Sequence, residues 1–301
     1  MEILTPRDVP LGGLRAMNVR RTLPQRRRTF VGAWCFVDHY GPDHIDPGSG
    51  GMVVSSHPHT GLQTVSWLFS GEIEHRDSAG HHAMVRPGEV NLMTAGRGIS
   101  HSEYSTPETT VLHGAQLWLA LPDSDRHTDP GFEHFAPEPV RVDDGEARVF
   151  LGSLLGSTSP VRTYTPLLGA ELRLRAGATL QVPVQQDFEH GILLDSGAIT
   201  VGGEPLAPNE LGYLEPGRDH LVLEATEDAL LLILGGPPFG EQIVMWWNFI
   251  GRDHDEIVAY RDQWQSLLEN GVDDRFALPT GDLLPPIPAP PLPNVRMVRR
   301  G

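Results

Sequence analysis

The 301-residue chain is 39% hydrophobic and 21% charged, with a formal net charge of −16. That balance fits a folded protein of one large or two ordinary domains, and the excess negative charge repels a polyanion, so no direct nucleic-acid partner is expected. No run approaches the roughly 18 apolar residues of a membrane span, MEILTPRDVP lacks a secretory apolar core, and the one cysteine, Cys35, excludes an internal disulfide framework, so a cytoplasmic protein without membrane attachment is expected.

Proline (27) and glycine (33) make up about a fifth of the chain, against a usual roughly 12%, and they are spread between short apolar runs. Such regular turn punctuation predicts an all-β sandwich or barrel. Taken from the N-terminus, Arg20-Arg21 and Arg26-Arg27-Arg28 form a short basic cluster without interleaved aromatics. It reads as a solvated strand or turn in preference to a phosphate-contacting patch. Cys35, between Trp34 and Phe36, reads as a buried apolar residue. His39 either lines a pocket mouth or packs within the 38–40 turn.

His57-Pro58-His59 places two imidazoles at i and i+2, on one face of an extended segment. Pro58 cannot donate to a sheet ladder, which puts the pair at a strand's start or on an edge. The next strand-like run is 65–69. The stretch 75–85 reads as a loop, with His81-His82 in solvent. After the Gly-rich turn Ala95-Gly96-Arg97-Gly98, His101-Ser102-Glu103 repeats the i, i+2 geometry with one imidazole and one carboxylate. Two such neighbouring strands would point four ligands into one barrel interior. Three nitrogens and one oxygen suit Fe, Ni, Cu, Mn or Zn, whereas Ca²⁺ and Mg²⁺ prefer oxygen-only shells.

A strand over 111–121 precedes a segment, 123–144, rich in Pro, Asp and His, which marks the domain boundary. The expected domains are 1–135 and 136–301. Further strands are predicted over 171–175 and 221–223. The continuously apolar run 229–234 reads as a strand buried on both faces, and Gly202-Gly203 marks a hairpin. The two halves echo each other. Ser70-Gly71-Glu72-Ile73 matches Ser196-Gly197-Ala198-Ile199, Pro87-Gly88-Glu89-Val90 matches Pro208-Asn209-Glu210-Leu211, and Gly96-Arg97 matches Gly217-Arg218. A duplicated β domain is the simplest account. One helix is predicted over 253–268, capped by Asp253 with Glu256 three residues on, with Ile257, Tyr260, Trp264 and Leu267/Leu268 at helical spacing. Trp246-Trp247, just before it, reads as inter-domain core. The Pro-rich tail 283–293 reads as an extended strap across the protein's own surface.

The His/Glu stretch resembles the metal-binding motifs of cupins, and the whole chain resembles the pirin family of bicupins. The residues that carry the likeness are Asp38-His39-Tyr40-Gly41-Pro42, His57-Pro58-His59-Thr60-Gly61-Leu62-Gln63-Thr64-Val65, the block from Met93 to Glu103, Gln116-Leu117-Trp118 and Pro237-Pro238-Phe239-Gly240-Glu241. The resemblance implies two jelly-roll-type cupin barrels and one divalent metal, Fe(II) first, held in the first barrel by His57, His59, His101 and Glu103. Gln63 stands where many cupins place a glutamate ligand. A neutral amide is a poor ligand, so Gln63 is expected to orient an imidazole or bound water, with Gln116 a weaker candidate for that role. Carried across the echo, the four ligand positions fall on Pro183, Gln185, Val222 and Glu224, so the second barrel is expected to hold no metal.

Two functions follow from the resemblance. One is a quercetin 2,3-dioxygenase-like oxidoreductase acting on a small aromatic substrate and O₂, with Glu103 as both ligand and catalytic base. The other is a non-enzymatic, iron-dependent redox-sensing regulator that binds a protein partner, a transcription factor or metabolic enzyme. A hydrolytic or isomerase cupin using Zn²⁺ or Mn²⁺ is a third reading. A monomer is expected.

Overall fold

The computed structural model describes residues 1–11, 17–46, 51–282 and 284–301; Leu283, the first residue of the predicted strap, lies outside them. Strands take 50% of the chain and helix 6%, which places it in the all-β class. Each half repeats one plan, a seven-stranded antiparallel sheet closed by a four-stranded one. In the first barrel the large sheet runs Gly131–Phe135, Val90–Thr94, Leu62–Ser70, Val111–Ala120, Trp34–His44, Met17–Leu23, Arg7–Leu11. Its small sheet runs Val53–His59, Ile99–Ser105, Ile73–Asp77, His82–Val85. Residues 73–77 and 82–85 are therefore strands, where the Gly- and Ser-containing sequence reads as a loop; only the tight turn between them is irregular.

In the second barrel the large sheet is built on Leu168–Leu174, Ala229–Gly236 and Glu189–Ser196, and Glu2–Leu4 adds to its edge by pairing with Leu211–Leu214. The first residues of the chain thus belong to the second barrel's sheet. The two large sheets pack back to back. Val37, Val65, Trp67, Leu117 and Leu119 of one interdigitate with Phe150, Leu193, Leu232 and Leu234 of the other. Trp67 stacks on Phe150 at 4.5 Å, and its Nε1–H donates to Glu171 Oε2 at 2.7 Å. The run 229–234 is continuously apolar because Leu232 and Leu234 face this interface while Leu231 and Ile233 face the barrel.

Alternation also decides what each barrel contains. The positions to which the echo carries the four ligands do not face the second interior: Leu180 and Val182, and Leu221 and Leu223, do, within one apolar cluster. Period-two geometry turns every side chain over when the register slips by one residue.

The helix spans His254–Asn270, with the Asp253 side chain accepting from the Glu256 amide and Gly271 in the left-handed region closing it. Ile257, Tyr260, Trp264 and Leu267 bury against the short hairpin of Val244–Trp246 and Phe249–Gly251. No helix among the described residues is long and apolar enough to cross a membrane.

Candidate metal centre

The strands Val53–His59 and Ile99–Ser105 are neighbours, with His101 opposite His57 and Ile99 opposite His59. Between His101 and Glu103 the register slips, so that Glu103 faces Val54. Such a bulge re-aims side chains on either side of it. Gly61, at φ +68°, makes the turn after the histidine pair, where a Cβ would lie 2.5 Å from the Ile250 carbonyl oxygen.

One ring nitrogen from each of His57, His59 and His101 lies within 4.8 Å of the other two, and all three residues are buried. Their tautomers are set by what the other nitrogen meets. His57 Nδ1 is 2.9 Å from the Ser55 carbonyl, and His59 Nδ1 is 3.1 Å from the Asn248 carbonyl. A carbonyl only accepts, so both Nδ1 atoms carry the proton and both Nε2 lone pairs are left bare. His59 Nε2 and His101 Nε2 approach to 3.1 Å. Burial drives the His57 pKa down to about 4 and holds His59 and His101 well below the usual imidazole range. Three buried neutral imidazoles, two of them with bare Nε2 atoms, form a donor set suited to a divalent transition metal.

Glu103 lines the same cavity as the three histidines. It groups with His101 and His75, and its Oε1 is 3.3 Å from the Ser66 hydroxyl. Burial pushes its pKa up. The same Ser66 hydroxyl is 2.9 Å from Gln116 Oε1, so Gln116 touches this network through one intermediary. Gln63 is not brought to the cluster: it donates to Thr94 Oγ1 at 2.9 Å and lies outside the cavity lining. Its strand alternates, and Gln63 shares the inter-barrel face of Val65 and Trp67, while Ser66 faces in.

Sequence reasoning missed His75 and Asp77. His75 is 3% exposed and stands opposite Glu103, and Asp77 stands opposite His101. His75-Arg76-Asp77 has the same i, i+2 spacing as the two recognised pairs. His39 is not at a pocket mouth. It faces the second barrel, where its Nε2 lies 2.6 Å from Asp195 Oδ1, alongside His113 on the same oxygen. His81 pairs with Asp77 and His82 with Glu74. Cys35 is fully buried, and burial raises its thiol pKa far out of the reactive range.

Above the histidines opens a cavity of about 700 Å³. Its lining includes Phe36 and Trp118, stacked at 4.0 Å, together with Met245, Trp246 and Trp247. The two tryptophans are thus half-buried cavity wall, not inter-domain core. Cavities of this size and apolar character suit a small organic ligand.

A doubled cupin architecture with one polar barrel and one apolar barrel defines the class. The pirin family model matches residues 15–119, and that of the pirin C-terminal cupin domain matches 169–268. A Pseudomonas aeruginosa protein provisionally named a quercetin 2,3-dioxygenase is 45% identical over 294 residues, 97% of this chain and 91% of its own length. A pirin-like protein of Caulobacter vibrioides is 36% identical over 256 residues, 82% of this chain and 88% of its own. A crystal structure of quercetin 2,3-dioxygenase from Acinetobacter baumannii superposes with a TM-score of 0.91 at 37% identity, covering 98% of this chain and 97% of that one. The chain belongs to the pirin family.

Proposed function

We propose that this chain is a metal-dependent dioxygenase acting on a flavonol-like polyphenol, with Fe(II) held by His57, His59 and His101 and with Glu103 as the fourth donor. The observation that carries the reading is the trio of buried, neutral imidazoles, with His57 and His59 presenting bare Nε2 atoms, in the lining of an aromatic-walled cavity. The names of the 45%-identical relative and of the 37%-identical solved structure support the reaction class. A mixed nitrogen–oxygen set also takes Ni, Cu, Mn or Zn, so each is a candidate to be loaded in turn.

When bound, the ion supplies a Lewis acid that lowers the pKa of a substrate hydroxyl. The chain's own residues do the rest. Phe36 and Trp118 give the substrate ring an aromatic wall. Glu103, with its pKa raised by burial, accepts the hydroxyl proton at its carboxylate, and the Ser66 hydroxyl beside Oε1 steadies that carboxylate. The apolar walls exclude water, which strengthens each polar interaction inside.

The test is oxygen uptake by anaerobically Fe(II)-loaded protein on addition of quercetin, with His101→Ala alongside. Uptake stoichiometric with flavonol loss and absent in the variant is the expected result. No uptake by protein holding one iron per chain would defeat the oxygenase reading and favour the iron-dependent regulator.

A further inference from the structure

We propose that the proline-rich strap at 285–288 is the substrate-size filter of the first barrel's cavity, admitting a flat, unsubstituted aromatic and rejecting one that carries a bulky group. The proposal rests on the reading that this cavity takes a flavonol-like ring.

Four residues of the strap, Pro285, Pro286, Ile287 and Pro288, line the cavity alongside the three histidines. The strap lies outside both stretches matched by the family models, 15–119 and 169–268. It is also fixed in place. The Ile287 amide donates to the Ser56 carbonyl at 2.8 Å, one residue before His57. The Ile287 carbonyl accepts from Trp264 Nε1 at 2.9 Å, and the Ala289 amide donates to Gln265 Oε1 at 2.7 Å. Upstream, the Tyr104 hydroxyl donates to Asp282, next to Glu103 in sequence, and the Ser100 hydroxyl donates to the Ala277 carbonyl. The segment is therefore laced to both strands that carry the proposed ligands.

Three of the four lining residues are prolines, whose φ is locked and whose ring nitrogen carries no hydrogen. Such a wall neither donates a hydrogen bond from its proline nitrogens nor yields easily to a larger ligand, so it discriminates by shape. Ile287, the one non-proline, has both its backbone groups engaged elsewhere, leaving its side chain packed against the cluster containing Met52 and Val54. The same cavity is lined by the Phe36–Trp118 stack, with the Arg21 guanidinium 4.2 Å from the Phe36 ring centroid on a bidentate pair with Asp38. A cavity of about 700 Å³ whose lining combines aromatic rings with a rigid proline wall fits a planar ring system and leaves little room for an attached sugar.

The experiment measures anaerobic dissociation constants of metal-loaded protein for quercetin and for its 7-O- and 4′-O-glucosides, which leave the 3-hydroxyl free. The variants are Ile287→Ala and the triple Pro285→Gly/Pro286→Gly/Pro288→Gly, both outside the barrel sheets. Trp264→Phe, which removes the donor to Ile287 and leaves the lining unchanged, provides a third. Wild-type protein is expected to bind both glucosides at least about tenfold more weakly than quercetin. The strap variants are expected to bring at least one glucoside within about threefold of quercetin, read as the ratio of the two dissociation constants, while metal content holds. Equal binding of all three ligands by wild type, or unchanged discrimination in every variant, would overturn the filter. Quercetin bound with this selectivity but never consumed would sink the oxygenase reading alone and leave the filter standing.

Discussion

His75 Nδ1 lies 3.3 Å from His101 Nδ1, and the other ring nitrogen of His75 lies 3.3 Å from Asp77 Oδ2. If His101 presents a bare Nε2 to a metal, its Nδ1 carries the proton and donates to His75. His75 Nε2–H then donates to Asp77, which also accepts the amides of Ala79 and His81. Such an outer chain fixes ring orientation and strengthens the ligand. Burial alone would raise the Asp77 pKa, but the His75 bond and the His81 amide outweigh it and hold the carboxylate low. His75→Ala is therefore expected to weaken metal binding about 10–100-fold with the fold intact, and His75→Gln to recover part of the loss. Chelator competition measures both, and unchanged affinity in His75→Ala would remove His75 from the site.

The contrast between the recognised pairs and this missed one shows what a sequence can carry. His57-Pro58-His59 and His101-Ser102-Glu103 stand out because i, i+2 spacing on a strand is local. His75-Arg76-Asp77 has the same spacing, but Arg76 and the Ser78, Gly80 turn beside it make the segment look like a loop. Its strand character comes from pairing with Ile99–Ser105, a contact remote in sequence. Gln63 lies apart from the histidines for a different reason. Likeness to a ligand position placed it near the metal, whereas its alternation with Val65 and Trp67 puts it on the opposite face of the sheet. Two barrels, one helix and the capping Asp253 are legible because turn punctuation, duplication and helical period are local or repeated.

The metal-free protein should lose stability as pH falls from about 6.5 toward 4. Burial lowers the pKa of His57 and His190 to about 4 and also lowers those of His39, His59 and His101. His190 is fully buried, with neither ring nitrogen hydrogen-bonded among the described residues. In this window the unfolded chain binds protons that the folded chain refuses, so protonation favours unfolding, by up to about 1.4 kcal/mol per pH unit for each group. Glu103 and Asp38, whose pKa values burial raises, oppose the trend, two groups against five. Melting temperatures of metal-free protein at pH 7.5, 6 and 5 should fall steadily, and His190→Leu should flatten part of the slope. A curve level from pH 7.5 to 5 would contradict the assignment of neutral buried imidazoles.

Glu103 and Ser66 divide one task, and their variants should separate it. Glu103→Gln removes the proton acceptor and is expected to lower turnover about 10²–10⁴-fold, while the three histidines still hold metal. Ser66→Ala leaves the carboxylate but removes the hydroxyl 3.3 Å from Oε1, which favours the ionised form. Its expected signature is a modest loss of rate and an acidic limb of the pH–rate profile moved to higher pH. The same profile in Ser66→Ala as in wild type would show that the hydroxyl does not act on Glu103.

The back-to-back sheets should make the two barrels unfold as one unit. Trp67 is fully buried, stacks on Phe150 and donates to Glu171, itself paired with Arg173 at 2.6 Å. Trp67→Phe keeps most of the apolar contact but takes one donor from a buried carboxylate, a cost of about 1–3 kcal/mol. Trp67→Ala adds a cavity and should cost about 3–5 kcal/mol. Because Trp67 belongs to the first barrel and its partners to the second, either loss should lower a single urea transition monitored by fluorescence and by circular dichroism. Two separated transitions, with only the first barrel's moved by Trp67→Ala, would mean that the shared core does not couple the halves. The apolar second barrel would then be a passenger. A single moved transition makes it the wall against which the large sheet bearing Ser66, Gln116 and Trp118 is held.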